Sequence, residues 1–138
     1  MSFGMLLTAI AIAVAGCGSR EKDVLGLWSA EQNGKTMKME IRADKSWVAD
    51  LPIRKDTVPF TGTWIMSADT ISMTPTMLNG RPVDKIRSDM ASQPNLALKG
   101  SLEELLRTND FELSADGATL TLKGVREGLP VLTFKKNR

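Results

Sequence analysis

Strict alternation of apolar and polar residues constrains this chain more than any other feature. In Thr36-Met37-Lys38-Met39-Glu40-Ile41-Arg42, Met37, Met39 and Ile41 share one face, and Lys38, Glu40 and Arg42 the other. A period of two belongs to a strand with one face buried. Ala43-Asp44-Lys45-Ser46 reads as a turn, after which Trp47, Ala49 and Leu51 alternate until Pro52, which is expected to interrupt the ladder. Phe60, Gly62, Trp64 and Met66 share the face of a further strand, Ser67-Ala68-Asp69 turns the chain, and Ile71 and Met73 return. Phe111 and Leu113 precede Ser114-Ala115-Asp116-Gly117, and Leu120, Leu122, Leu132 and Phe134 follow. Asp bonds the local backbone and Gly accepts positive φ, which suits both to such turns. The count is about eight short strands joined mostly by tight turns, an antiparallel meander. A meander of this size curls to bury its edges. The expected fold is all-β, an antiparallel meander barrel or strongly curved sheet with a short helical insertion.

The insertion is expected around 83–108. Val83, Ile86 and Met90 follow helical spacing after Pro82, which suits a first turn. Gln93-Pro94-Asn95 stops that segment. Ser101-Leu102-Glu103-Glu104 reads as a capping box with Ser101 as N-cap, leaving Leu102, Leu105 and Leu106 to face the sheet. The insertion either plugs one end of the barrel or covers a cavity as a lid. Arg81, Asp84, Lys85, Arg87 and Asp89 read as its solvated face. Arg54-Lys55-Asp56 reads as a loop tip, and Arg126-Glu127-Gly128 as the link between the last two strands.

Two GxW triplets punctuate the strands, Gly26-Leu27-Trp28 at the first and Gly62-Thr63-Trp64 further on. A GxW opening an eight-stranded meander resembles the lipocalin and calycin families. In those families the glycine lets the backbone bend and the tryptophan closes one end of the barrel. The resemblance spans roughly Val24 to Lys135, and is nearest to the small lipocalin-like bacterial lipoproteins of undefined role. Here the chain is shorter, the lipocalin disulfide is absent, and the helix falls mid-chain.

Val14-Ala15-Gly16-Cys17 holds the single cysteine and follows the uncharged run MLLTAIAIAVA, Met5 to Ala15. That run has the length of a signal-peptide core and is too short for a membrane span, which needs about 20 residues. The four residues resemble the bacterial lipobox. The resemblance implies a signal peptide over 1–16, cleavage before Cys17, a diacylglycerol on its thiol and an acyl chain on its amine. Residues 17–23 would then be the lipidated cysteine and tether, and 24–138 the barrel domain. A buried thiol in an N-terminal helix is the competing reading, which Gly16 and Gly18 disfavour. Signal peptides open with Lys or Arg; Met1-Ser2-Phe3-Gly4 has neither, so either the true start lies upstream, which is the expectation, or export is inefficient. Gly18 permits outer-membrane or surface placement, with the domain in the periplasm or exterior.

Among 138 residues, 18 basic and 16 acidic side chains leave a net charge of +2. This gives no electrostatic case for nucleic acid. Histidine and tyrosine are absent. With Cys17 lipidated, the usual general base, the usual zinc ligands and the thiol nucleophile are missing. No enzyme and no cofactor is expected. Met37, Met39, Trp47, Trp64, Met66 and Met73 are candidate lining residues for an apolar pocket; Met77, like the other methionines named, lies on or near a predicted strand. The thioethers are also core filler in phase with their neighbours, and soft ligands for Cu(I). The expected function is non-enzymatic binding of a small apolar ligand or an envelope partner. The alternatives are a filled-core domain acting through its surface and methionine-based copper handling. Lys135, Lys136 and Arg138 make the C-terminus basic, which suits an anionic lipid or cell-wall polymer.

Overall fold

Strand β4 pairs on both sides and so closes the sheet into a ring. The strands are β1 (Gly26–Gln32), β2 (Lys35–Ile41), β3 (Ser46–Ile53), β4 (Asp56–Ser67), β5 (Thr70–Leu78), β6 (Arg81–Pro82), β7 (Asn109–Leu113), β8 (Thr119–Leu122) and β9 (Thr133–Lys136). Their order is β4-β3-β2-β1-β9-β8-β7-β5-β6, and β4 also pairs with β5. Eight strands therefore form a closed antiparallel barrel, with β6 a two-residue stub on β5. The computed structural model describes residues 20–32, 34–53, 55–124 and 132–137. Cys17, the run before it and Arg126-Glu127-Gly128 lie outside them.

The inward face is the one the alternation marks. Met39, Ile41, Trp47, Ala49, Phe60, Trp64, Ile71 and Met73 are all buried, as are Phe111, Leu113, Leu120 and Phe134. Met77 departs from this: it is in phase with Met73 and Pro75 on β5 but is exposed, because the register shift between Thr61 and Gly62 leaves Thr76 as an extra residue and sets Met77 opposite Thr61, on the other face. Among the described residues no polar or charged side chain is buried. The barrel core thus holds no whole charged side chain whose desolvation would need compensating.

Hairpin turns divide the barrel into two ends. The β2–β3, β4–β5 and β7–β8 turns gather at one, here the floor. The β1–β2 and β3–β4 turns and the long β5–β7 connection gather at the other, the mouth. Lys45 and Ala68 take positive φ, 72° and 52°, in the first two floor turns. Asp44 accepts the Ser46 backbone N–H at 2.9 Å and also the Ser46 hydroxyl. These bonds, with the Arg42 charge nearby, hold the Asp44 carboxyl below the usual carboxylate range.

The helical turn α1 (Glu21–Val24) closes the floor, with Val24 fully buried. Arg20 bonds the Asp69 carboxylate and donates to the Ser114 carbonyl at 2.6 Å. Lys45 pairs with Glu21 at 2.5 Å, and Lys136 donates to the Asp23 carbonyl at 2.6 Å. Arg20 to Asp23, read from the sequence as part of a short tether, are thus clamped to three floor turns and to β9.

Two further expectations are corrected. Pro52 does not interrupt the ladder: β3 continues to Ile53, with Pro52 opposite Thr57. Beyond Asp50 the β2–β3 register ends, so β3 has a ladder partner on the β4 side alone, and such edge positions tolerate proline. Nor is Ser101 an N-cap. The insertion holds α2 (Val83–Met90) and α3 (Leu96–Leu106), and α3 is capped by Asn95, whose side chain accepts the Leu98 N–H at 3.1 Å. Asn serves this position as well as Ser. The Ser101 hydroxyl instead donates back to the Ala97 carbonyl at 3.0 Å within the helix.

Gly62 sits where the β4–β5 register shifts, between Thr61 and Gly62. A Cβ there would lie 2.1 Å from the Thr74 carbonyl oxygen and 2.7 Å from the Trp47 ring. No side chain fits that gap. Gly62→Ala should therefore destabilise the domain by about 3 kcal/mol, the upper part of the overpacking range. Gly100 lies inside α3 with nothing within 4 Å of its would-be Cβ, so Gly100→Ala should stabilise by about 0.5–1 kcal/mol. Denaturant midpoints moving in opposite directions are the expected result.

Candidate functional site

The floor half of the barrel is filled. Trp28 is fully buried and its indole N–H donates to the Val24 carbonyl at 2.8 Å. Trp64 donates to the Arg42 carbonyl at 2.9 Å. Each ring lies near a lysine ammonium: Lys45 is 4.2 Å from the Trp64 centroid and Lys136 is 5.6 Å from that of Trp28, both within cation–π range. The two GxW tryptophans thus do the same work, each joined to a backbone carbonyl and each near a lysine that also holds α1.

Toward the mouth the filling stops. A cavity of about 110 Å³ opens there. Met37, Met39, Trp47, Ala49 and Leu51 line it from β2 and β3, and Phe60, Met73 and Pro75 from β4 and β5. Asn109, Phe111 and Phe134 line it from β7 and β9, with Leu132 beside them. Leu105 of α3 completes the wall. Two edge-to-face aromatic pairs stiffen it, Trp47–Phe60 at 5.0 Å and Phe111–Phe134 at 5.8 Å. The Trp47 N–H is used by the Thr63 carbonyl at 2.9 Å, so that ring offers the cavity only its apolar surface.

Of the six candidate pocket residues, Met37, Met39, Trp47 and Met73 come together on this wall. Trp64 and Met66 do not: both face inward, but the register of β4 carries them toward the floor, where Trp64 is buried and Met66 half-buried. Alternation reveals which face a residue takes but not how far along the barrel axis it lies. Ala49, Leu51 and Phe60 also line the cavity; alternation marked them as inward-facing, but the sequence did not single them out as wall residues. Asn109 and Leu105 were not legible as wall residues, because their positions depend on where the long connection re-enters the barrel.

Asn109 is the one polar side chain among the described lining residues, and its amide donates to the Arg107 carbonyl at 3.3 Å. Among the described residues, no group of three or more His, Cys, Asp or Glu side chains is placed to hold a metal ion. No helix among them is long and apolar enough to cross a membrane. Among the described residues, the lining offers an apolar surface with one hydrogen-bonding amide, suited to holding hydrocarbon.

The insertion shapes the mouth. Val83 and Ile86 of α2 are buried, and Arg87 donates to the Leu106 carbonyl at 2.8 Å, tying α2 to the end of α3. Leu106 is 2% exposed, whereas Leu105 is only half-buried. The C-terminal end of α3 is therefore a plug and its N-terminal half stands clear of the core.

Fold and cavity together define an eight-stranded up-and-down barrel of lipocalin-like architecture, closed at the floor and hollow toward the mouth. No protein-family model matches the chain, and no curated protein matches it. Among solved structures it is similar to an uncharacterized protein from Bacteroides eggerthii, at 15% identity over 83% of this chain and 99% of that one, with a TM-score of 0.48. It is likewise similar to a lipocalin-like protein from Bacteroides uniformis, at 15% identity and the same coverages, with a TM-score of 0.46.

The different burial of the two leucines is measurable. Leu106→Ala should destabilise the domain by about 2–5 kcal/mol, as buried Leu→Ala changes do. Leu105→Ala, at the cavity wall, should cost about 1 kcal/mol. Equal shifts in the two denaturant melts would contradict the plug-and-wall division of α3.

Proposed function

We propose that this barrel binds a small apolar molecule in its mouth-side cavity, without catalysis, while a lipid on Cys17 holds it at a bacterial membrane. The cavity carries the first part. A packed protein interior has few voids larger than a water, and here the floor half meets that standard while the mouth half does not. Three methionines on the wall add adaptable, polarisable contact surface.

The VAGC motif carries the second part, and the clamped floor gives it a geometric consequence. Arg20 stands three residues beyond Cys17, a reach of at most about 11 Å. A lipidated Cys17 would keep the floor against the membrane, with the mouth turned away. Two or more acyl chains give stable anchoring. The domain then belongs to the cell envelope, on the periplasmic or outer side.

The binding test uses the soluble domain from Ser19 onward, titrated with hexanoate. Trp47 is the tryptophan in the wall, so indole emission should shift as the cavity fills, and the shift should disappear in Trp47→Phe. A titration that changes neither emission nor thermal midpoint would remove ligand binding and leave a domain that acts through its surface on an envelope partner.

Anchoring is tested in the full chain. Cys17→Ala should leave an unprocessed, unlipidated precursor that keeps its signal peptide, because the thiol is the acceptor of the diacylglycerol; membrane extraction and the mass of the N-terminal peptide check this. A mutant with the parent's mature mass and membrane partition would end the lipoprotein reading.

A further inference from the structure

The cavity is too small for most lipids. An engineered cavity of about 150 Å³ takes a single benzene, and this one measures about 110 Å³. It accepts a handful of carbons. Yet its apolar surface does not end at the mouth. Leu105 lines the cavity from α3, and Leu102 and Leu98 lie three and seven residues before it on an eleven-residue helix. That spacing puts all three on one face of the helix. Leu102 is half-buried and Leu98 is 46% exposed, so the stripe rises steadily out of the core. From Leu105 to Leu98 it extends about 10 Å at 1.5 Å per residue. Leu96, 79% exposed, falls on the opposite face and is no part of it.

From this we infer that cavity and stripe form one continuous site for a single-chain aliphatic amphiphile. The tip of the chain fills the cavity between Met37, Trp47 and Met73. The rest leaves past Asn109 and Leu105 and lies along Leu102 and Leu98, with the head group in solvent. The continuity of wall and stripe through Leu105 favours this occupant over a compact one: a compact ligand would fill the cavity and leave Leu98 bare. Seated this way, α3 acts as a ruler for chain length. The inference rests on the ligand-binding reading above and adds the class of ligand.

A homologous series separates the two. Hexanoate, octanoate, decanoate and dodecanoate are titrated below their micellar concentrations into the soluble domain, with Trp47 emission and calorimetry as readouts. Burying a methylene strengthens binding about fourfold, and half-burying one along the stripe about twofold. Affinity should therefore keep rising from octanoate to dodecanoate, after the cavity itself is full. Leu98→Gln should weaken dodecanoate about fivefold and leave hexanoate unchanged, while Leu96→Gln should alter neither. Both positions are exposed, so these variants should fold. Hexanoate binding with an affinity that stays flat along the series would overturn the stripe and leave the cavity reading intact. The stripe also falls if Leu96→Gln weakens dodecanoate as much as Leu98→Gln does. Failure of every member to bind would overturn both readings.

Discussion

The absence of a side chain at Gly62 is the constraint on which the rest of the barrel depends. There the Trp47 ring and the Thr74 carbonyl occupy the space a Cβ would need. The neighbouring register shift lets β4 pair with β3 on one side and β5 on the other. A shift of this kind bends the strand and increases its twist. Closure follows from it, and closure is what removes the sheet's edges. It also fixes the depth of Trp47. Packed over Gly62, with its N–H held by Thr63, the ring becomes the base of the cavity instead of filling it.

Floor and mouth then diverge for a simple reason. Tight turns bring strands together with few extra residues, so the floor can be packed by what the strands already carry: Trp28, Ile41, Trp64, Ile71 and Leu120. The helical turn α1 adds Val24 and a set of charged contacts across the turns. Those contacts are exposed, and surface ion pairs contribute little singly. Their value lies in placing α1, and the burial of Val24 holds it there. The mouth receives the long connection, whose helices cover it with a few side chains at one edge. Leu106 completes the core, Leu105 reaches the wall, and the cavity is the space they leave.

Much of this was legible in the residue pattern, and the limits have physical causes. Period-two alternation in β2, β3 and β4 set the buried face correctly from Met37 through Met66, because one face is covered along their whole length. The Asp-containing turns were legible because their bonds are local, Asp44 to Ser46 for example. Position along the barrel axis was not legible, since it depends on register between distant strands. Trp64 and Met66 accordingly appeared beside Trp47 when they belong to the floor. The start of α3 was misplaced because two residues offered a capping oxygen. Asn95 took the role, and Ser101 turned its hydroxyl back to Ala97. The tether was misplaced because what orders Arg20 to Asp23 is tertiary: Asp69, Ser114, Lys45 and Lys136 all come from elsewhere in the chain.

This division of labour separates two demands that would otherwise conflict. A chain entering a barrel at its open end would cross the path of any ligand, and order imposed on it there would restrict the cavity. Here the chain enters at the floor, where Arg20 and Val24 are immobilised by the same turns that seal that end. Rigidity is therefore concentrated at the floor. The mouth keeps the half-buried Leu102 and Leu105 and the exposed Leu98, side chains with little packing to lose when they shift. Elements with few buried contacts open locally at small free energy, as a ligand entrance requires. If Cys17 carries the proposed lipid, pull on the anchor is borne by the sealed end and never reaches the cavity wall. On the proposed reading, ligand exchange at the mouth leaves the anchored end undisturbed.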